Sequence, residues 1–320
     1  MRMNQARINK RDLRLGLLIA VSLTSCDGEG EKVAPTCNNE SFSSVAAGKN
    51  IACAVDADGC VSCWGNEGLE STEAGGDWQD IGDAVPPEGS FSKVAVDLGN
   101  DGFDEGGFTS CGITTAKEVK CWGKRLAETG VSHTEALDLS VAGEVCGIGL
   151  QGGVLCWGAG SSEERSPPGG RWLDVDSSST ALVNCAVRID AEIRCWGYCD
   201  DVMCTPPEGT FVVLDLGTDW GCALDTDGMA LCWGGYQGTA ESPAAEERFS
   251  QISVGSAACG VRRDSTLLCW GDAEGTAILS PPPGSFTQVD VGVGYACAVS
   301  VAGDLYCWGD APHGQDKIPG

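Results

Sequence analysis

The sequence is poor in the residues from which most catalytic sites are built. Its 320 residues include only two histidines, His133 and His313, and both lie in predicted connections without a matched partner. It has no G-x-S-x-G nucleophile motif, and Gly292-Val293-Gly294 lacks the third glycine and the helix of a dinucleotide-binding turn. Because acidic pairs are too numerous for one to be singled out, we predict no enzymatic activity, no cofactor and no metal.

Long apolar runs are also scarce. One run, Leu15 to Leu23, follows a basic segment and is too short to span a membrane as a helix. It ends in Leu23-Thr24-Ser25-Cys26, which resembles the lipobox of bacterial lipoproteins and so implies cleavage before Cys26 and diacylation of its sulfur. The alternative is an ordinary signal peptide with a coincidental cysteine. We predict a lipoprotein signal peptide over residues 1–25, then the lipidated Cys26 and a polar tether over 26–36, at the bacterial cell envelope and facing the periplasm or the cell exterior.

Basic residues are few, with 20 lysines and arginines against 46 aspartates and glutamates. The leader holds five of the basic residues and one acidic residue, so the mature chain has 15 against 45 and a net charge of −30. This charge argues against nucleic acid, whose phosphates must be neutralised, and against direct binding to an anionic membrane. It favours a solvated monomer with a basic partner, and we expect membrane attachment by the lipid anchor alone.

What the chain does have is the tripeptide Cys-Trp-Gly, which occurs seven times with a second cysteine ten residues upstream of each copy. The copies lie 35 to 58 residues apart, a period expected of solenoid repeats or propeller blades. The seven cysteine pairs are Cys53 with Cys63, Cys111 with Cys121, Cys146 with Cys156, Cys185 with Cys195, Cys222 with Cys232, Cys259 with Cys269, and Cys297 with Cys307.

The segment between the paired cysteines predicts an antiparallel hairpin. In the first repeat, Cys53 faces Cys63 if the loop is Ala57-Asp58-Gly59, a three-residue loop that ends in a left-handed glycine. Four repeats have glycine at this loop position and three have another residue: Gly59, Gly152, Gly228 and Gly303 against Lys117, Ala191 and Ser265. Cysteines directly opposite in an antiparallel ladder suit a disulfide, so we predict one in every repeat.

A further strand precedes each hairpin, with an aromatic residue at its start in six repeats: Phe42, Phe91, Trp172, Phe211, Phe249 and Phe286. A polar connection rich in proline and glycine follows Cys-Trp-Gly. Each unit thus has about three strands and an extended outer segment, which we count as a fourth strand. Seven such four-stranded units predict an all-β, seven-bladed β-propeller over residues 37–320, in which radial packing buries both faces of each sheet.

The combined pattern is F-x-x-V-x-x-G-x-x-x-x-C-A-V-x-x-D-G-x-V-x-C-W-G followed by P-x-G. It resembles the regulator of chromosome condensation repeat family over roughly residues 38–320, and most of all its bacterial exported, cysteine-rich version. The propeller-type beta-lactamase inhibitory protein is similar in period and in its Trp-Gly pair. The resemblance implies a seven-bladed propeller but no particular activity. The eukaryotic namesake is a nuclear exchange factor for guanine nucleotides that binds chromatin, and the leader, the cysteines and the acidity of this chain depart from it.

Of the 19 cysteines, four remain after Cys26 and the fourteen repeat cysteines: Cys37, Cys60, Cys199 and Cys204. Cys60 faces the other side of the sheet from Cys63 and is free to pair with Cys37. Cys199 and Cys204 flank a short loop and are free to pair with each other. Such cysteine usage requires an oxidising compartment.

One end of the propeller collects the loop before each first cysteine and the loop after each Trp-Gly. Both insertions of the long first spacing fall there, as do seven aromatic residues that we predict as a binding face: Trp78, Phe103, Phe108, Tyr198, Trp220, Tyr236 and Tyr295. The alternative for Trp220 and Tyr295 is packing at the channel rim. The acidic segment 97–105 has part of the pattern of a calcium loop but lacks its final glutamate, so a solvated acidic loop is the default.

We therefore predict a lipid-anchored binding or scaffold propeller that engages a protein or another envelope macromolecule through this face. An inhibitor of a secreted enzyme is the alternative. An enzyme that acts on envelope polymers and an exchange-factor-like protein are weaker candidates.

Overall fold

A computed structural model describes residues 41–49, 51–65, 86–97, 109–123, 134–142, 144–158, 166–178, 182–199, 202–235, 240–271, 277–310 and 318. All of them belong to one compact unit, Ala34–Gly320. The predicted signal peptide, Cys26 and the tether lie outside the described residues. Within those residues, no helix has the length and hydropathy needed to cross a membrane.

The described residues form seven antiparallel sheets, each made of three consecutive strands. The strands are β1 (Phe42–Ala47), β2 (Ile51–Asp56) and β3 (Val61–Gly65) in blade 1; β4 (Phe91–Val96), β5 (Ser110–Thr114) and β6 (Val119–Trp122) in blade 2; β7 (Ala136–Ala142), β8 (Glu144–Gly149) and β9 (Val154–Gly158) in blade 3; β10 (Trp172–Ser178), β11 (Val183–Arg188) and β12 (Ile193–Gly197) in blade 4; β13 (Phe211–Leu216), β14 (Trp220–Asp225) and β15 (Ala230–Gly234) in blade 5; β16 (Phe249–Val254), β17 (Ala258–Arg262) and β18 (Leu267–Trp270) in blade 6; and β19 (Phe286–Val291), β20 (Tyr295–Ser300) and β21 (Leu305–Gly309) in blade 7.

The predicted all-β, seven-bladed propeller is confirmed, with one difference in the blades. Among the described residues no blade has a fourth strand. The outer segments instead contain short 3-10 turns, Val202–Cys204 and Ala277–Leu279, and extended proline-rich stretches. Proline has no N–H group to donate to a ladder, and among the described residues these segments make a single isolated bridge, from Glu135 to Glu118.

The cysteine spacing sets the register of every hairpin. In each blade the two repeat cysteines lie directly opposite each other in the ladder. A disulfide joins each pair, with the two Cα atoms 3.9 to 4.1 Å apart. The structure thus has the predicted bridge in all seven blades: Cys53 to Cys63, Cys111 to Cys121, Cys146 to Cys156, Cys185 to Cys195, Cys222 to Cys232, Cys259 to Cys269, and Cys297 to Cys307.

The cysteines outside the repeat pattern also form disulfides. Cys199 and Cys204 are bonded to each other, as their short separation allowed. Cys60 is disulfide-bonded as well, and its predicted partner Cys37 lies outside the described residues. The pairing of Cys37 with Cys60 therefore stays a prediction.

Every turn between the paired cysteines has a left-handed third residue, whatever its side chain. The glycines have φ between 78° and 88°, and Lys117, Ala191 and Ser265 have φ of 71°, 70° and 70°. Non-glycine residues adopt this conformation at a cost. The tertiary structure must therefore require a left-handed residue at this position.

One backbone hydrogen bond recurs at all seven blade interfaces. The N–H of the residue that opens an inner strand donates to the carbonyl of the third turn residue of the preceding blade, at 2.7 to 2.9 Å. The last of these bonds runs from Phe42 in blade 1 to Gly303 in blade 7, so the ring closes by the same contact that joins its other neighbours. We call this end the turn face. The opposite end, which carries the β1–β2 type of loop and the residues after Trp-Gly, is the loop face.

The hydrophobic core lies between blades. One cluster combines Phe42, Val45 and Trp64 of blade 1 with Tyr295 and Val299 of blade 7, and equivalent clusters occur at the other interfaces. The Cys-Trp-Gly tryptophans belong to these clusters, because their side chains pack on the opening residue or on the outer segment. Burial of both faces of each sheet is what fixes the seven inner strands around one axis.

Candidate binding site

The loop face contains only part of the predicted binding surface among the described residues. Tyr198 is exposed there. Trp78, Phe103, Phe108 and Tyr236 lie outside the described residues, as do both insertions of the long first spacing and the acidic stretch after Asp97. The predicted calcium loop therefore stays a prediction.

Trp220 and Tyr295 are buried, with 7% and 0% of their surface exposed, so their predicted role as binding anchors is wrong. Each side chain crosses to the following blade. The Trp220 indole N–H donates to the Gly255 carbonyl at 3.2 Å, and the Tyr295 hydroxyl donates to the Ile51 carbonyl at 3.0 Å. Burial raises the pKa of Tyr295 above its ordinary value. Both residues pack at the rim, which was the alternative for them.

Glycines make room for this packing. Gly48, Gly217, Gly255 and Gly292 occupy the same position at the end of four inner strands, and an added Cβ at any of them would collide with a backbone carbonyl of the next blade. At Gly217, for example, the new atom would lie 2.5 Å from the Gly255 oxygen. The loop-face rim of blades 5, 6, 7 and 1 is thus closed by side-chain burial and direct backbone contact.

Below the rim the seven inner strands surround a central cavity of about 460 Å³. Two rings of side chains line it, at the second and fourth positions after the residue that opens each strand. The first ring consists of Ser44, Lys93, Asp138, Asp174, Val213, Gln251 and Gln288, and the second of Ala46, Ala95, Ser140, Asp176, Asp215, Ser253 and Asp290.

Most of the polar ring side chains accept a hydrogen bond from a backbone N–H of the next blade. Inner strands present such groups because neighbouring sheets do not pair edge to edge. The donors and acceptors are Leu214 to Asp174, Leu216 to Asp176, Val254 to Asp215, Val289 to Gln251, Val291 to Ser253, Val45 to Gln288, Ala47 to Asp290 and Ser177 to Ser140, at 2.6 to 3.1 Å. The acidic ring residues therefore hold neighbouring blades together.

The pKa values of the ring carboxylates are shifted in different directions. Lys93 pairs with Asp138. Although burial opposes both shifts, this pairing lowers the pKa of Asp138 and raises that of Lys93. Burial raises the pKa of Asp176 and Asp290 to about 6.

The pKa values of Asp174 and Asp215 are shifted further from the ordinary value. Burial first, and neighbouring carboxylates second, raise the pKa of both well above the usual range. No group of three metal-ligating side chains occurs in the described part of the chain. We assign the cavity acids to blade adhesion, and the candidate binding site lies elsewhere.

A small apolar cluster stands out on the loop face of blade 4. Leu182, Tyr198 and Val202 are 41%, 55% and 41% exposed. The Tyr198 N–H donates to the Leu182 carbonyl at 3.0 Å, and the disulfide between Cys199 and Cys204 encloses Val202. We call Leu182, Tyr198 and Val202 the blade-4 cluster.

Backbone conformation and a buried neighbouring residue fix the geometry of the blade-4 cluster. Leu182 has a φ of +53°, a left-handed conformation that costs a branched residue energy. Met203, next to Val202, is fully buried, and its carbonyl accepts the Trp233 indole N–H at 2.8 Å. Sequence reasoning found Tyr198 but missed Leu182 and Val202. The two extra cysteines that flank Val202 were the available indication that this loop has a fixed shape.

Comparison with known proteins agrees with this architecture. Residues 42–68 match the family model for the regulator of chromosome condensation (RCC1) repeat. The same residue pattern, with its two cysteines, recurs in the other six blades. No curated protein matches the sequence.

Solved propellers are similar to the chain over most of its length. The CRINKLY WD40 ectodomain of the Arabidopsis thaliana receptor kinase ACR4 is 26% identical with a TM-score of 0.56, over 70% of this chain and 85% of that one. The ectodomain of the Physcomitrella patens receptor kinase CR4 is 21% identical with a TM-score of 0.62, over 85% and 74%. Human WBSCR16 is 15% identical with a TM-score of 0.56, over 78% and 85%. The last two likenesses concern the fold alone.

Proposed function

We propose that this protein is a lipid-anchored propeller of the bacterial cell envelope that binds a partner protein through the loop face of blade 4. The blade-4 cluster carries the proposal. It combines an exposed tyrosine with two exposed aliphatic residues, in a chain whose other loop-face aromatics among the described residues are buried. Tyrosine is enriched among the residues that dominate binding energy at interfaces.

The rigidity of the cluster supports a binding role. The disulfide and the hydrogen bond from Tyr198 to Leu182 fix its backbone before any partner arrives. A preorganised surface loses less conformational entropy on association, so more of the contact energy appears as affinity. The left-handed Leu182 is a further indication, since backbone strain of this kind gathers at functional sites.

The disulfides support the proposed location in an oxidising compartment. The disulfides of the blades and of the Cys199 loop are stable only where thiols are oxidised, and the leader with Cys26 supplies a route of export and an anchor. The ectodomain to which the chain is similar belongs to a receptor kinase, which fits an extracytoplasmic binding propeller. The acidity of the chain favours a basic partner surface.

Site-specific photo-crosslinking in intact cells tests the proposal. A photoreactive phenylalanine in place of Tyr198 is expected to give one dominant crosslinked product, identified by mass spectrometry. The matched control places the same group at Leu155, which is equally exposed on the outer strand β9. If both positions give the same products, or if position 198 gives none, the blade-4 cluster is not the binding site. A secreted enzyme as the captured protein would favour the inhibitor alternative.

A further inference from the structure

A second exposed apolar surface lies on the turn face of blades 3 and 4. In blade 3, Leu137 and Leu150 directly follow the paired residues Ala136 and Gly149. In blade 4, two more aliphatic residues, Leu173 and Ile189, follow the equivalent pair Trp172 and Arg188. All four are between 44% and 58% exposed. We call Leu137, Leu150, Leu173 and Ile189 the aliphatic patch.

Other blades show that folding does not require these side chains. At the strand position of the patch, blades 1, 2, 6 and 7 have a hydroxyl that donates to a carbonyl of its own sheet, at 3.1 to 3.3 Å: Ser43, Ser92, Ser250 and Thr287. Leu137 and Leu173 replace that internal hydrogen bond with an exposed aliphatic group. Such an exchange gains nothing within the monomer, and exposed apolar groups that cluster mark an interaction surface.

The two halves of the patch lie on blades that are joined directly at the turn face. The Trp172 N–H donates to the Gly152 carbonyl at 2.9 Å, and the Ile189 N–H donates to the Arg171 carbonyl at 3.0 Å. The stem of Arg171 lies over Gly152, because an added Cβ there would meet its Cβ and Cγ atoms at 3.6 and 3.8 Å. A long basic side chain of this kind covers apolar surface while its charged end reaches a polar layer.

The charges next to the patch are balanced, unlike those of the whole chain. Arg188 pairs with Asp190 at 3.0 Å, and Arg194 pairs with Glu192 at 2.6 Å. With the exposed Arg171 and Glu135 included, basic and acidic groups are equal in number here. An uncharged or zwitterionic surface therefore meets no electrostatic penalty at this part of the turn face.

The chain itself indicates what covers the patch. Ser41, the first described residue, lies on the turn face, since Phe42 donates to Gly303 there. Fourteen residues separate Cys26 from Ser41. A chain of that length spans at most about 50 Å when fully extended. A lipid on Cys26 would therefore hold Ser41 within that distance of the bilayer.

We infer that the aliphatic patch docks on the lipid bilayer that holds the anchor. This inference rests on the lipid anchoring proposed above, and it adds a direct membrane contact that the acidity of the chain had argued against. Four aliphatic side chains enter the interfacial layer while Arg171 reaches the headgroups. The loop face then points away from the membrane, and the blade-4 cluster is accessible to a partner.

Hydrogen exchange read by mass spectrometry tests the contact. The full-length lipidated protein is reconstituted in phosphatidylcholine vesicles and compared with the Cys26→Ala chain in solution. We expect exchange to slow at least about threefold in the turns 149–152 and 188–191, with no change in the loop-face segments 217–219 and 255–257. Equal exchange at both ends, in a protein that floats with the vesicles, would overturn the inference while leaving the anchor intact.

A matched pair of variants separates the patch from the anchor. The double variant Leu150→Asp with Ile189→Asp is expected to float with vesicles yet lose the slow exchange of both turns. Leu182→Asp changes an equally exposed leucine on the opposite face and is expected to keep it. If the double variant keeps full protection, the patch is not the contact.

Two further arms cover the other outcomes. If intact mass shows no lipid on Cys26, the anchoring proposal fails by itself. The mature chain with a hexahistidine tag in place of Cys26 is then tethered to vesicles that contain a nickel-chelating lipid, and the same exchange measurement decides the docking. Protection that rises with protein concentration in the absence of vesicles would show a second copy on the patch and overturn membrane docking.

Discussion

Neighbouring blades are joined differently at the two ends of the propeller. On the turn face the joint is a backbone hydrogen bond, the same in all seven interfaces and indifferent to the side chains involved. Towards the loop face the joints depend on side chains and differ between blades: carboxylates, amides and two serines in the cavity, and Trp220, Tyr295 and four glycines at the rim.

This difference determines where the surface is free to bind. Side-chain joints commit the rim of blades 5, 6, 7 and 1 to structure, so aromatic residues there are buried. Blade 4 has Ser178 where those blades have glycine, and the Ser178 hydroxyl donates to the Thr218 carbonyl of blade 5 at 2.8 Å. The exposed apolar residues of blade 4 on this face lie in the loops that follow Ser178 and Trp196-Gly197. On the turn face, a backbone joint leaves side chains unconstrained, which is why blades 3 and 4 can carry leucines, and blade 5 the exposed Val212, where the other blades have serine or threonine.

The largest expected effect comes from breaking a rim joint. In Gly255→Ala the new Cβ would lie 2.5 Å from the Gly292 carbonyl oxygen, so blades 6 and 7 must separate. We expect a loss of about 3 kcal/mol in the free energy of unfolding, measured by guanidinium denaturation without reductant. Gly153→Ala is the control, because nothing lies within 4 Å of its added Cβ. Equal midpoints for the two variants would contradict the packing account of the rim.

A side-chain joint in the cavity should give the stability an unusual pH dependence. Burial raises the pKa of Asp290 from 3.8 to about 6, so the folded protein holds this proton more tightly than the unfolded chain. The stabilisation from this group is complete below about pH 4 and is lost as the pH rises through 6, a change of about 3 kcal/mol at most. Asp290→Asn keeps an acceptor for Ala47 and removes the charge.

The measurement is the melting temperature of wild type and variant at pH 4.5 and pH 8. We expect Asp290→Asn to stabilise at pH 8 and to flatten the profile. A variant with the same dependence of melting temperature on pH as the wild type would contradict the raised pKa of Asp290.

The free part of the loop face should respond in affinity and not in stability. Tyr198→Ala removes the exposed aromatic ring of the blade-4 cluster. We expect partner affinity to fall by about tenfold to thirtyfold, the range of an interface anchor. The melting temperature should stay within about 1 °C of wild type. Tyr306→Ala, on the outer strand β21, is the control for affinity. Calorimetric titration with the crosslinked partner provides the measurement.

The smallest expected effect concerns the turn face, where all seven joints are the same. Ala191 adopts a φ of 70° because the turn must present its carbonyl to Phe211. Ala191→Gly relieves the strain of a left-handed alanine, and we expect a gain of up to about 1 kcal/mol. Loss of stability would mean that the higher entropy of glycine in the unfolded chain outweighs this strain. Guanidinium midpoints at matched pH distinguish the two.

The sequence was sufficient for the parts of the fold that depend on local spacing. Nine residues between the paired cysteines and a turn of three determine the hairpin register, and the recurrence of Cys-Trp-Gly determines the number of blades. The fourth strand predicted for each blade does not form among the described residues. An extended, proline-rich segment looks like an edge strand in sequence, although it lacks the donors to form one.

The site was harder to predict because its features depend on neighbours that sequence does not reveal. Trp220 and Tyr295 occupy the position of the buried Ile51, a comparison within the repeat that would have indicated burial. The cavity aspartates alternate with apolar residues as on a solvated strand, and only the ring places them opposite unpaired backbone donors.

The short reach of the blade disulfides has a consequence for biogenesis. Each joins cysteines ten residues apart in a single hairpin, and within the described residues none links two blades. If the chain is exported as proposed above, a thiol that emerges from the export channel meets its native partner before any distant one, since closing a short loop is fast. Oxidation would then proceed hairpin by hairpin from the N-terminus, with ring closure by Phe42 and Gly303 at the end of translocation.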